Sequence, residues 1–240
     1  MNDKIKKLKK MIIFEKIKYY LELIKQGFIK KNYKFFYSQF GEDRIINEIL
    51  KKNRKGIYVD VGCYHPKKYS NTFLLYRDKK WRGINIDIEE EKIALFKILR
   101  PEDINICCPI SNFSKLVEIN TLGNFNVGSH IKNIKKNKFN KNYKITKSLN
   151  EILQSTRYKN NEIDLLNIDV EGNDFDVLKS INLNKYNPKI IIIESHLKDI
   201  NKIQSSNIYK YLIKFNYKLR SWSFYSLIFI KKKTNILRQR

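Results

Sequence analysis

Cysteine is scarce in this sequence: there are three in 240 residues, two of them adjacent at Cys107 and Cys108 and none in a CxxC pair. That excludes a disulfide framework and points to a reducing compartment. Eight glycines and four prolines exclude collagen-like and linker-dominated chains. No apolar run approaches the roughly 20 residues that span a bilayer. Lysines interrupt the first apolar residues (MNDKIKKLKKMIIFEKIK), so no signal peptide is expected either. Acid is short as well, at 24 residues against 49 basic ones, a net charge of +25.

That excess makes nucleic acid, anionic membrane and phosphorylated substrates possible partners. Lys, Asn, Ile and Tyr are abundant together, however, the bias of an AT-rich genome. Lys also far outnumbers Arg, whereas bidentate recognition of phosphates and bases favours Arg. Most of the excess is read as a solvated lysine surface. At 42% apolar and 13% aromatic the chain can bury a sizeable core.

Residues 1–37 form a distinct arm in which Ile5, Leu8, Ile12, Ile17, Leu21, Ile24 and Phe28 recur at helical spacing among lysines. This is a basic amphipathic helix. It serves either as a membrane-surface anchor or, the commoner use of such a stripe, as a helix packed on the domain or on a second subunit. From residue 38 to 232 short apolar runs alternate with helical patterns. Strands are predicted at 57–61, 83–87, 104–108, 163–169 and 190–194, and helices at about 72–80, 89–99, 147–155, 173–181 and 204–215. Ser38 is placed to cap a further helix that carries Phe40, Ile45, Ile46, Ile49 and Leu50. This is an α/β chain with a mostly parallel sheet covered by helices on both faces. Two runs near 217–222 and 226–232, separated by a very short turn, make an antiparallel last strand. Residues 112–146 are rich in Lys and Asn and read as an insertion, one strand at 115–121 followed by a loop. Residues 233–240 are a basic tail.

Ligands of open α/β sheets bind beyond the carboxyl ends of the strands, and acids end four of them here: Asp60, Asp87, Asp169 and Glu194. An acid closing the second strand can accept hydrogen bonds from a ribose diol. A dinucleotide also needs several glycines to cradle its pyrophosphate, and this loop offers Gly62 alone, beside Asp60. An anion there repels phosphate and suits a sulfonium and an ammonium. S-adenosylmethionine is therefore favoured over NAD.

The sequence resembles the FkbM family of S-adenosylmethionine-dependent O-methyltransferases. The resemblance is carried by Ser38-Gln39-Phe40-Gly41-Glu42-Asp43, Tyr58-Val59-Asp60-Val61-Gly62-Cys63 with Pro66, and Ser70-Asn71-Thr72. It continues through Trp81-Arg82-Gly83-Ile84-Asn85-Ile86-Asp87, Arg100-Pro101 and Leu166-Asn167-Ile168-Asp169-Val170-Glu171-Gly172. Cys63 stands where the family more often has Ala. The resemblance implies a Rossmann-like class I methyltransferase sheet and, as in many relatives, a sugar hydroxyl as methyl acceptor, in a nucleotide sugar or a surface glycan.

Carried over by position, Asp60 and Gly62 would line the methionine and ribose side of the cofactor. Ser70, Asn71 and Thr72 would hold its carboxylate, and Gln39 and Asp43 would close over the methionine end. Asp87 would bind the ribose hydroxyls, Ile88 would meet adenine and the residues from Cys108 to Ser111 would flank it. An alcohol needs a base, an acidifying metal, or both. Asp169 and His196 are the candidate catalytic residues, and Asp169, Glu194 and His196 the candidate ligands of Mg or Mn. Glu171 is a further oxygen donor, set aside because Val170 would turn it away if the strand persisted. The rival readings are a nucleic-acid methyltransferase and a non-enzymatic membrane-associated scaffold. The first lacks the Asn/Asp-Pro-Pro-aromatic loop of exocyclic-amine methylation, so no specific nucleic-acid partner is expected. A cytoplasmic protein is expected, with peripheral attachment to the inner face of the membrane open through the arm. If the arm is an anchor, the protein will sediment with anionic liposomes and salt will release it. An arm deletion that unfolds the protein or splits a dimer would identify a packing helix instead.

Overall fold

The computed structural model describes residues 13–18, 21, 36–50, 55–120, 130–131 and 142–232. The chain divides into two compact units, 1–36 and 37–240. Of the first, residues 13–18 and 21 are helical; the rest of the arm's apolar stripe, and the basic tail at 233–240, lie outside the described residues. Among the described residues no helix is long and apolar enough to cross a membrane.

The second unit is built on a seven-stranded sheet. In chain order its elements open with α1 (Glu42–Ile49), β1 (Ile57–Val61), α2 (Phe73–Lys79), β2 (Arg82–Asp87), α3 (Glu90–Leu99) and β3 (Ile104–Cys107). After β4 (Leu116–Asn120), β5 (His130–Ile131) and β6 (Asn142–Ile145) come α4 (Leu149–Gln154), β7 (Leu165–Ile168), α5 (Asp174–Lys179) and α6 (Leu183–Tyr186). The chain closes with β8 (Ile190–Glu194), α7 (Ile200–Ser205), α8 (Asn207–Lys214), β9 (Tyr217–Ser223) and β10 (Ser226–Lys231).

The strand order is β3-β2-β1-β7-β8-β10-β9. All neighbours are parallel except β10, which runs antiparallel to both β8 and β9. The chain leaves β1 toward one edge and returns to its other side as β7, so the switch point, where ligands settle in such sheets, lies between β1 and β7. This is the Rossmann-like methyltransferase architecture.

Successive residues of each strand face opposite sides, and both sides are apolar. Val59, Val61, Leu166, Ile168, Ile191 and Ile193 pack with Leu153 of α4, Leu178 of α5 and Leu212 of α8. Tyr58, Leu165, Ile190 and Ile192 pack on the other side with Ile46 of α1, Leu75 of α2 and Trp81. Helix α4 starts at a capping box in which Ser148 and Glu151 satisfy each other's backbone N–H, a strong start signal.

One layer breaks the apolar pattern. Asn105, Asn85, Asp60 and Asn167 lie directly opposite one another across β3, β2, β1 and β7. Asn85 donates to Asn105 at 2.8 Å and Asn167 to Asp60 at 2.8 Å. Arg100, at the end of α3, is wholly buried. Its guanidinium donates to Ser70 Oγ and Thr72 Oγ1, each at 2.8 Å, and to the Pro66 carbonyl. Thr72 in turn donates to Asp60 Oδ2 at 2.7 Å. The rings of Phe73, Tyr76 and Phe96 flank the guanidinium at 5.1–5.4 Å. A buried charge is tolerated only when it is paired and hydrogen-bonded.

Three local expectations are corrected. The N-cap position of helix α1 is Gly41 (φ 85°) rather than Ser38, and Gly41 brings no side chain to the first turn. The left-handed turn at Gly41 curls the chain so that Ser38 Oγ reaches the Asp43 N–H at 3.3 Å. The 112–146 segment is more than a strand and a loop: β4, β5 and β6 form a three-stranded antiparallel sheet in the order β5-β4-β6. Helices α6 and α7 also belong to the fold, capped by Asn182 and Asp199.

Replacing Arg100 by Met leaves Asp60 without its compensating cation and strands two hydroxyls and a carbonyl. Urea unfolding should show a loss of about 3–5 kcal/mol. A loss under about 1 kcal/mol would assign the network to surface decoration.

Candidate active site

Gly62 follows β1 with φ +79°, and a Cβ there would lie 1.6 Å from the carbonyl oxygen of Asp169. Only glycine lets the ends of β1 and β7 approach this closely. The approach closes the floor of a cleft at the switch point that encloses about 1000 Å³, its open mouth included. Gln39, Asp60, Gly62, Ser70, Asn71, Asp87, Ile88 and Asp169 all line it. Residues from five separate stretches of sequence thus meet in one place.

Asp87, at the end of β2, is buried and accepts the N–H groups of Tyr64 at 3.2 Å and Glu89 at 3.0 Å. Each carboxylate oxygen keeps a lone pair for the cleft. Burial pushes its pKa up, and Lys92, whose Nζ lies 3.9 Å away, opposes that. Asp60 is raised by burial and held down by Thr72, Asn167 and Arg100. Ser70 and Asn71 are committed too, since Ser70 receives Arg100 and Asn71 donates to Asn167 at 2.9 Å.

Five selected residues are not among those lining the cleft: Asp43, Thr72 and Ser111, and the two ligand candidates Glu194 and His196. Asp43 is wholly buried and accepts the Tyr37 N–H at 2.7 Å and the Ser38 hydroxyl at 2.8 Å, which pins the segment before α1. Thr72 is wholly occupied between Arg100 and Asp60. Ser111 is buried, and its N–H pairs with the Lys147 carbonyl at 3.0 Å. Reasoning from sequence missed Tyr64, Tyr69, Lys92 and Asn167 as lining residues. Asn167 was legible as a polar residue inside an apolar strand. Lys92 carried no signal among so many lysines.

Beyond the cleft floor the acids crowd. Strand β7 stops at Ile168, and Glu171 (φ 53°) and Gly172 (φ 100°) turn left-handed in succession. Asp174 closes the turn by accepting the N–H groups of Val170 and Gly172, each at 3.0 Å. The strand does not persist, so Val170 does not turn Glu171 away. Glu171, Glu194 and His196 bring their ligand atoms within 4.8 Å of one another, and His196 Nε2 lies 3.3 Å from Glu194. The converging trio therefore contains Glu171 where Asp169 was expected. Two carboxylate oxygens and one imidazole fit a divalent cation such as Mg or Mn better than zinc.

Asp169 faces the open cleft but is enclosed by protein elsewhere. Burial raises its carboxyl well above the usual range, helped by the charges of Glu194, Asp174 and Glu171. Glu194 is pushed up to about 7 by burial, then by Asp174 and Glu171, although it accepts a hydrogen bond from Asp169. Such a pair shares its protons.

A sequence profile of the Methyltransferase FkbM domain matches residues 60–219, two-thirds of the chain. The chain belongs to the FkbM methyltransferase family. No curated protein matches it. Family membership makes this protein a methyltransferase and thereby a user of S-adenosylmethionine. The donor set agrees with that cofactor. The cleft of this FkbM protein presents Asp60, Asp87, Asp169 and Glu171 against Lys92, a negative lining suited to a sulfonium rather than to a pyrophosphate.

The raised pKa of Glu194 has a stability consequence. Between its unfolded value, about 4.3, and about 7 the folded state holds a proton that the unfolded state has released. Stability therefore falls as pH rises through that window. In chelator, the melting temperature should drop between about pH 5 and pH 8, and more steeply than in Glu194→Gln. Equal slopes in the two proteins would refute the crowding.

Proposed function

We propose that the protein transfers the methyl group of S-adenosylmethionine to a hydroxyl of a sugar, carried by a nucleotide sugar or a surface glycan, with help from a divalent cation. The observation that supports this most is the convergence of acids at one cleft: Asp87 on its β2 side and Asp169 with Glu171 on its β7 side, with Glu194 next to Asp169 and Glu171 but outside the lining. Bound cofactor supplies an electrophilic methyl group, and the chain supplies position, charge and a base.

Asp87 accepts the ribose hydroxyls and Ile88 packs on adenine. Gly62 gives close backbone approach, and Gln39 closes the methionine end from the rim. Ser70 and Asn71 present the cofactor carboxylate with a wall that Arg100 has already ordered. Thr72 and Asp43 act on the cleft only through the residues they hold. Asp60 sits beneath the sulfonium side as a buried anion.

Asp169 takes the acceptor's proton, because it lines the cleft just beyond β7 and its raised pKa makes it a stronger base than an ordinary carboxylate. Glu171, Glu194 and His196 would hold the cation, which would lower the pKa of a nearby hydroxyl and relieve the repulsion among the carboxylates. The protein works in the cytoplasm, and the arm at 1–37 serves as a peripheral membrane contact or as a packing helix.

Calorimetry should show binding of S-adenosylmethionine or its demethylated product and none of NAD. Asp87→Ala should weaken cofactor binding by about 1.5–3 kcal/mol, the scale of hydrogen bonds to a charged acceptor. Chelator should stop methyl transfer to sugars while sparing cofactor binding, and Mg or Mn should restore it. Tight NAD binding without an adenosylmethionine signal would overturn the cofactor assignment. Full turnover in excess chelator would remove the cation, and full turnover of Asp169→Ala would displace the base.

A further inference from the structure

The β9–β10 hairpin turns in two residues, Phe224 and Tyr225. Two-residue turns that need φ > 0 favour Asn, Asp and Gly. Phe224 nevertheless adopts φ 48°, an uncommon conformation for a bulky residue, and leaves 68% of its surface exposed. A position that breaks both the turn rule and the burial rule gains nothing for folding, and such positions gather at functional sites.

The tip is held firmly in place. Trp222 Nε1 donates to the Phe224 carbonyl at 2.7 Å, and Ser195 N–H donates to the Tyr225 carbonyl at 2.6 Å. Ser223 Oγ donates to the Phe40 carbonyl at 3.2 Å, and Ser226 Oγ to Glu42 at 3.0 Å. The Phe224 ring stacks on Phe40 at 4.5 Å, with Tyr225 5.8 Å from Phe40 and 5.2 Å from His196. The surface is thus an ordered aromatic platform. One end of it joins the cofactor cleft through Gln39, the neighbour of Phe40. The other end joins the Glu171–Glu194–His196 group.

We propose that this platform is the acceptor subsite and that it takes an uncharged glycan ring, not the sugar of a nucleoside diphosphate. The proposal rests on the sugar O-methyltransferase reading and selects between its two substrate forms. The aromatic faces are negative and attract the polarised C–H face of a sugar ring, and a ring seated there has hydroxyls directed at the acids. Phosphates do not fit beside it. Glu171 and Glu194 stand at the platform's edge, their ligand atoms within 4.8 Å of those of His196, whose ring lies 5.2 Å from Tyr225. A diphosphate next to that group is repelled.

The test titrates the full chain, with demethylated cofactor bound, with methyl glycosides of glucose, mannose, rhamnose and fucose, and separately with UDP-glucose and GDP-mannose. Trp222 fluorescence is the readout. At least one glycoside should bind, and the nucleotide sugars should bind no tighter. Phe224→Gly relieves the backbone strain, so its melting temperature should hold or rise. Its affinity for the glycoside, or the glycoside KM in turnover, should weaken about tenfold, the scale of a lost ring-stacking contact, with cofactor affinity unchanged. Unaltered glycoside binding in Phe224→Gly, binding of nucleotide sugars alone, or binding of no sugar would overturn the proposal. Methyl transfer to glycosides with an unaffected Phe224→Gly variant would sink the platform and leave the enzyme reading intact. Cofactor binding with no methyl transfer to any sugar would sink the reading itself.

Discussion

A buried arginine holds this active site together. Arg100 reaches from the end of α3 to the start of α2, where it satisfies Ser70, Thr72 and the Pro66 carbonyl at once. Through the Thr72 hydroxyl it also compensates Asp60 in the middle of the sheet. The loop after β1 forms one wall of the cleft, and its shape follows from these bonds. Without the cation, Asp60 would be a buried charge held by the Thr72 and Asn167 hydrogen bonds alone, which is costly to keep ionised. Asp60 in turn fixes Asn167 and, through it, Asn71. The wall, the floor and the sheet register thus share one network.

A second constraint is electrostatic. The chain carries +25 overall, yet its acids gather at the carboxyl edge of the sheet. Burial and mutual repulsion raise Asp169 and bring Glu194 to about 7. A cluster of this kind costs stability until a cation or a proton offsets it. The left-handed turn at Glu171 and Gly172 adds to it by bringing one more carboxylate to Glu194.

Legibility varied with the physics of each signal. Strands β1, β2, β7 and β8 were plain because strands buried on both faces read as continuous apolar runs. The acids that interrupt or end those runs marked the cleft for the same reason. The small sheet of β4, β5 and β6 was largely missed because its strands are short, lie in a Lys- and Asn-rich segment and draw their order from pairing with each other. The short helices α6 and α7 have clear caps but too few residues for a helical period to show. Asp43 and Thr72 were read as cofactor ligands because residue type and position cannot reveal that a side chain is already consumed by a neighbour. Lys92 was invisible for the opposite reason, since it is one lysine among many.

Sequence alone determined the alternation of strands and helices, the antiparallel hairpin at the end and the placing of acids at four strand ends. These are local properties, encoded in the order of apolar and polar residues along each element. Only the tertiary structure decided which polar groups face the cleft and which serve one another. Gly62 illustrates the division. Its place after β1 was readable, but the reason for it, a carbonyl of Asp169 where a Cβ would stand, exists only once β1 and β7 lie side by side. The same holds for Glu171, whose direction depends on where β7 ends. It holds again for Phe224, whose exposed ring lies against Phe40 because the hairpin folds back beside α1. Contacts between residues more than a hundred positions apart are set by packing, and no pattern along the chain carries them.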